Sequence, residues 1–357
     1  MNRSIKLLFF YTYSPNSITL IGLLFPVSSV LYSYYLNPNF ENTTTSYSAL
    51  YAAFCIFFYS TMDNMDGKHA RRTGSSSPLG LLFDHGCDAI NAGLIGWLII
   101  SLHFNTGTNS WTTFVQFICT TMVFFFNTYE EYHIGTLILP IINGANEGLL
   151  IGISTLLVTS YYGSSAWSNV HSMFAFLVWG FAPVIDTMRW VATIPTGSTS
   201  NIGTNIYSDC IITDPFNYFI CWFKNLNTFG TNNGPTNVEL VLAFLVMAAF
   251  STVVSQIYNV CKFEYTKSKG DINTVYAAFR RQLPYWSLLV TMTLWLHDSL
   301  CASIVHQHWL LFYSTGGILF VDMVTKLMVS HVANQEYTPL YNGIALFALA
   351  PLFIKFK

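Results

Sequence analysis

The chain has 357 residues, of which 15 are Lys or Arg and 17 Asp or Glu, so only 9% are charged and the formal net charge is −2. Hydrophobic residues make up 52% and mean hydropathy is +0.44, whereas a soluble domain carries about 25% charged residues. This excludes a soluble enzyme and a disordered regulator, and the lack of a basic field excludes a nucleic-acid binder.

The bilayer is therefore the expected solvent. The N-terminus, Met1-Asn2-Arg3-Ser4-Ile5-Lys6 and a short apolar run, shows no small-residue cleavage site, so the first hydrophobic segment is expected to stay as an anchor. A spanning helix needs about 20 mostly apolar residues. Ten stretches predict one each, at about 17–36, 46–62, 79–104, 111–130, 146–163, 168–188, 237–262, 283–304, 307–330 and 338–355. The expected fold is all-α, a polytopic integral membrane protein of about ten transmembrane helices forming a single domain over 1–357. The polar stretch at about 196–236, rich in Asn, Thr and Gly, reads as a loop. The seven cysteines are scattered without a CxxC pair, which argues against a disulfide framework or a zinc site.

Lys and Arg in short loops set the orientation. Arg3 and Lys6 precede the first span and Lys68, Arg71 and Arg72 follow the second, so both places are expected to be cytosolic, with the sequon at Asn42 lumenal. Lys262, Lys267, Lys269, Arg280 and Arg281 then disagree, because a count of ten spans turns them to the lumen. Either a re-entrant element lies within 196–236 or the late loops defy a statistical rule.

Chemistry concentrates between Asp63 and Asp88. Asp63 and Asp66, three apart, share a face at the end of the second span, and Asp84 and Asp88, four apart, share one near the start of the third. If the faces meet, four like charges converge in a poorly solvated place and cannot all stay ionised without cations. Two divalent ions balance them, and oxygen-only ligands point to Mg²⁺, Mn²⁺ or Ca²⁺ rather than zinc. The bland alternative, carboxylates satisfied by Lys68, Arg71 or Arg72, is the weaker reading, since ionisable groups within spans are functional by default. Gly67 and Gly80 allow close approach, Ala70 is similarly small, and Arg71 can fork onto phosphate oxygens. Two metals and an arginine suit in-line displacement at phosphorus.

The pattern D-G-x2-A-R-x8-G-x3-D-x3-D, from Asp66 to Asp88, resembles the signature of the CDP-alcohol phosphotransferase family, and Asp63 matches a further upstream aspartate. The run Phe83-Asp84-His85-Gly86-Cys87-Asp88, the segment Ser14–Leu23 and Glu130-Glu131-Tyr132-His133 are similar to the eukaryotic choline/ethanolamine phosphotransferase branch. The resemblance implies transfer of phosphoethanolamine or phosphocholine from CDP-ethanolamine or CDP-choline to 1,2-diacylglycerol, with release of CMP. It implies two Mg²⁺ or Mn²⁺ ions held by Asp63, Asp66, Asp84 and Asp88. Gly67, Ala70, Arg71 and Gly80 then shape the CDP site, and Asp88 is the base for the acceptor hydroxyl. It further implies a homodimer in the endoplasmic reticulum or Golgi membrane, with the catalytic loop facing the cytosol.

A metal-bound carboxylate is a weak base, so His133 or Glu147 is expected to assist Asp88. Each has a bland alternative: an interfacial polar cluster for His133, a helix-dipole preference for Glu147. Asn16 either caps a helix or touches the cytidine. Departures from the branch at Pro26, Leu81, Ala145-Asn146 and Ala333-Asn334-Gln335-Glu336 bear on headgroup and acceptor. The runner-up readings are a synthase using CDP-diacylglycerol as donor, and a non-catalytic membrane protein or transporter with a carboxylate ion site.

Overall fold

The computed structural model describes residues 13–36, 44–104, 106, 110–135, 144–167, 236–338 and 341–355, which form a bundle of helices. Helix α1 spans Pro15–Leu36 and continues through Pro26. Helix α2, Ser46–Thr73, starts where the Thr45 side chain accepts the Ser48 N–H. It stops at Gly74, whose φ of 67° lies in the left-handed region that glycine enters without a Cβ clash. A short turn then reaches Ser77, which accepts the Gly80 N–H ahead of Pro78, a residue suited to a first helical turn because it has no N–H to lose.

Helix α3, Pro78–His103, contains a π-helical turn at Asn91–Gly96. The wider turn disturbs the hydrogen-bond ladder, and the Trp97 indole donates to the Gly93 carbonyl at 2.8 Å. Then come α4 (Ser110–Ile134), α5 (Gly144–Tyr162), α6 (Asn237–Lys267), α7 (Ile272–His297), α8 (Ser299–Gln307), α9 (Trp309–Val332) and α10 (Tyr341–Lys355).

Four of these helices, α1, α3, α6 and α9, are long and apolar enough to cross a membrane, and α7 with α8, bent by 97°, makes a fifth candidate. The chain is an all-α integral membrane protein, but the expected count of ten is not reproduced among the described residues. Nine of the ten expected ranges overlap helices, several too polar to qualify; the range 168–188 lies outside the described residues. So do Arg3, Lys6, Asn42 and nearly all of the 196–236 loop.

The basic loop between α6 and α7 is corrected by the packing. Asn237, at the start of α6, donates to the Ala166 carbonyl at 2.7 Å, so α6 begins on the face where α5 finishes. Its far end returns to the face of the α2–α3 turn: Glu264 meets His133 at the end of α4, and Arg281 pairs with Glu336 just beyond α9. Lys262–Arg281 therefore share a face with Lys68–Arg72, as the charge rule expects and a count of ten spans does not.

Three apolar clusters carry the bundle, the smallest joining Phe104 and Trp167 to Val238, Val241 and Leu242 of α6. A second joins α1, α2, α3 and α5 around Leu23, Ala52, Tyr59 and Ile99. The largest joins the end of α3 to α4, α6, α7 and α9 around Trp97, Phe125, Tyr285 and Phe320. Backbones approach closely where side chains are absent, as between membrane helices generally. A Cβ on Gly317 of α9 would lie 2.1 Å from the Gly93 carbonyl oxygen in the π turn. Backbone cannot yield as a side chain does, so Gly317→Val must push α9 away from α3. Its thermal unfolding in detergent is expected to show a loss of at least about 1–3 kcal/mol, with wild-type stability refuting the packing argument.

Candidate active site at four aspartates

The tight α2–α3 turn sets the heights of the carboxylates. An α-helix rises about 1.5 Å per residue, so Asp66 and Asp84 each lie roughly 10 Å from the turn, and Asp63 and Asp88 each roughly 15 Å. Antiparallel helices thus bring Asp66 level with Asp84 and Asp63 level with Asp88, and each pair lies within hydrogen-bonding reach. One carboxylate oxygen each from Asp63, Asp84 and Asp88 fall within 4.8 Å of one another. Asp66, 4% exposed, stands beside them and accepts the Thr19 hydroxyl of α1, while Asp88 accepts the Tyr59 hydroxyl of α2. Asp84 Oδ1 is buried and takes no hydrogen bond from the described residues. Close carboxylates and a spare buried oxygen fit a hard divalent cation.

Two cavities meet at this cluster, and Asp66, Gly67, Arg71 and Asp84 line both. The polar one, about 610 Å³, opens beside the α2–α3 turn and is lined by Asn16, Ala70, Ser75–Ser77 and Gly80. A Cβ on Gly80 would stand 3.2 Å from Ser77 Oγ and 3.5 Å from Asn16 Oδ1, filling that corner. A Cβ on Gly67 would make an ordinary contact with the Arg71 guanidinium, at 3.5 Å. Helix α1 is capped by Ser14, which accepts the Ser17 N–H at 3.3 Å, so Asn16 is left to line the cavity.

The second cavity, about 770 Å³, runs between α2, α3, α4, α5 and α6 and is walled by residues such as Ile56, Ile99, Phe124, Leu149 and Leu245. Glu147, in the first turn of α5, lines it with Oε2 buried and unpartnered among the described residues. His133 is placed elsewhere: its Nδ1 lies 2.8 Å from Glu264 Oε1, and it lines neither cavity. A different histidine reaches the cavity. His85, next to Asp84, lines it with Nε2 3.2 Å from Glu131 Oε2 of α4 and Nδ1 buried without a described partner. Sequence reasoning passed over His85 as part of the motif. The signal was its spacing: three residues before Asp88, it shares that helix face.

Comparison with known proteins places this geometry. A family model described as CDP-alcohol phosphatidyltransferase matches residues 12–184. The chain is 30% identical over 336 residues to the uncharacterized CDP-alcohol phosphatidyltransferase class-I family protein 3 of Dictyostelium discoideum, covering 92% of this chain and 73% of the relative. The chain belongs to the CDP-alcohol phosphatidyltransferase class-I family.

Within the family it is 32% identical over 219 residues to choline/ethanolaminephosphotransferase 2 of Arabidopsis thaliana, covering 58% of this chain and 55% of that one. It is also 40% identical over 151 residues to choline/ethanolaminephosphotransferase 1 of Saccharomyces cerevisiae, covering 42% and 38%. These matches span about half of the named enzymes or less. All four aspartates lie inside the matched 12–184 region. If they form a cation site, Mn²⁺ titrated into the purified protein and followed by electron paramagnetic resonance should bind in wild type. Binding should weaken at least about tenfold in Asp84→Ala, as loss of a charged ligand requires. Unchanged binding would remove Asp84 from the site.

Proposed function

We propose that the protein transfers phosphoethanolamine or phosphocholine from the CDP-alcohol to 1,2-diacylglycerol, forming phosphatidylethanolamine or phosphatidylcholine and CMP. The observation that carries this reading is the shared wall of the two cavities. A water-borne nucleotide fits the polar cavity and a lipid hydroxyl the apolar one; Asp66 and Asp84 line both, with Asp63 and Asp88 beside them on the larger. Similarity to the plant and yeast choline/ethanolaminephosphotransferases supports the same substrate class.

Asp63, Asp66, Asp84 and Asp88 hold two Mg²⁺ or Mn²⁺ ions in this reading. When bound, the ions neutralise the diphosphate and stabilise charge on the entering and leaving oxygens. Arg71 grips phosphate oxygens with its forked guanidinium, Gly67 and Ala70 keep the helix face low enough for the donor, and Asn16 and Gly80 bound the nucleotide end. The acceptor O–H breaks as its oxygen bonds to the phosphorus carrying the alcohol, and the bond from that phosphorus to the CMP oxygen breaks.

His85 is the group best placed to take the hydroxyl proton. It faces the apolar cavity, and Glu131 behind it orients the ring and stabilises its charge, the arrangement that activates bases elsewhere. Asp88, committed to Tyr59 and the ions, acts as a ligand. Glu147, with its spare oxygen, orients the acceptor hydroxyl, and His133 braces α4 against Glu264 rather than assisting. The chain is read as one membrane-embedded domain, a homodimer in the endoplasmic reticulum or Golgi membrane with its 63–88 motif toward the cytosol.

Purified protein with Mg²⁺ or Mn²⁺, diacylglycerol and labelled CDP-ethanolamine or CDP-choline should yield labelled phospholipid; none from either donor would sink the proposal. Asp88→Ala should abolish transfer in a folded, membrane-inserted protein, and near-normal activity would remove Asp88 from the mechanism. His85→Ala should lower kcat by roughly 10²–10⁴, the usual worth of a general base, with the KM for CDP-alcohol little changed. A loss confined to KM would give His85 a binding role instead.

A further inference from the structure

The polar cavity is closed on one side by the second half of the chain. His331 and Val332, at the C-terminal end of α9, line it together with Asn16, Arg71 and Gly80. Among the described lining residues these two alone lie outside the 12–184 region that matches the family model. Nothing in the sequence pattern joins position 331 to the aspartate motif.

The end of α9 is built into that place. The Tyr132 hydroxyl of α4 accepts the Tyr337 N–H at 3.0 Å and lies 3.4 Å from the Gln335 carbonyl. Arg281 of α7 pairs with Glu336 at 3.0 Å, and its guanidinium lies 6.0 Å from the centre of the Tyr132 ring. Asn334, at φ 50°, makes the left-handed turn that ends the helix and lets the chain return to Tyr132. The His331 ring centre is 6.4 Å from that of Tyr132.

Glu131, one residue earlier on α4, meets the other histidine of the site. It is 3.2 Å from His85, which lines the apolar cavity, while His331 lines the polar one. An imidazole N–H can donate to a phosphate oxygen. Arg71, Asp66 and Asp84 line the same cavity, so the phosphates of a nucleotide held there would come within its walls.

We propose that His331 is a binding residue for the donor substrate, donating a hydrogen bond to a phosphate oxygen of the CDP-alcohol in the polar cavity. This rests on the CDP-alcohol reading of that cavity. The end of α9, held by Tyr132 and Arg281, thereby completes a pocket that the family motif leaves open on one side.

The test uses the full chain with His331→Ala and His331→Gln, the latter retaining a donor of similar reach. In wild type, CMP should raise the thermal transition. His331→Ala should weaken CMP binding and raise the KM for CDP-ethanolamine or CDP-choline about tenfold or more, the effect of one hydrogen bond to a charged group. The KM for diacylglycerol and the binding of cytidine, which lacks phosphate, should not move, and His331→Gln should recover most of the loss. Unchanged CMP binding, or equal effects on cytidine and CMP, would overturn the assignment. If His331→Ala does not stay folded, His331→Leu, which fills the space without a donor, decides the matter by the same readouts. A wild-type protein that binds CMP through His331 yet makes no phospholipid would overturn the transfer reaction while upholding this contact. Failure of wild type to bind CMP would overturn both.

Discussion

Like charges repel most strongly where water is scarce, and this molecule gathers four carboxylates at the seam between two helices of a bilayer protein. The repulsion is tolerated because the backbone leaves the aspartates no alternative. Gly74 turns the chain sharply, Ser77 and Pro78 restart it at once, and equal helical rise on either side brings Asp63 to Asp88 and Asp66 to Asp84. The other helices hold that hairpin in place. Helix α1 presses on it with Thr19 bonded to Asp66, and α9 locks the far side of α3 through the contact of Gly317 with Gly93. A cluster that costs this much to assemble implies a counter-charge, which a divalent cation provides and which a phosphate-bearing substrate can share.

The same hairpin settles a problem of two solvents. In the proposed reaction a nucleotide comes from water and a lipid hydroxyl from the bilayer, and both must reach one atom. Here the polar cavity beside the turn and the apolar cavity among α2–α6 meet at Asp66, Gly67, Arg71 and Asp84. Glu131 stands 3.2 Å from His85, which lines the apolar cavity, and His331 lines the polar one. Helices from both halves of the chain are thereby joined to one site.

The aspartate motif was readable in the sequence because its physics is local: spacings of three and four residues put carboxylates on one helical face wherever the helix goes. The histidines were not. His133 stands in a conspicuous polar run, yet its helical phase turns it toward Glu264 of α6, while His85, hidden inside the motif, faces the cavity. Asn16 looked equally suited to capping α1, and the fact that Ser14 does so is a matter of one residue of register. For the basic loop after α6 a count of ten spans conflicts with the charge rule, because span counting accumulates errors along the chain. The contact between Asn237 and Ala166 decides between them, placing the loop on the face of Lys68–Arg72.

The sequence by itself determined the solvent, the helical class and the chemical character of the site. A charged fraction of 9% and four aspartates within the 26 positions from Asp63 to Asp88 depend on composition and short-range periodicity alone. Only the tertiary structure decided which distant groups stand around that site: Glu131 beside His85, Glu147 in the apolar cavity, and His331 in the polar one. Those depend on how helices far apart in the chain pack and on their rotation about their own axes. Packing at Gly93, Gly317 and Tyr132 sets both, and no local pattern records them.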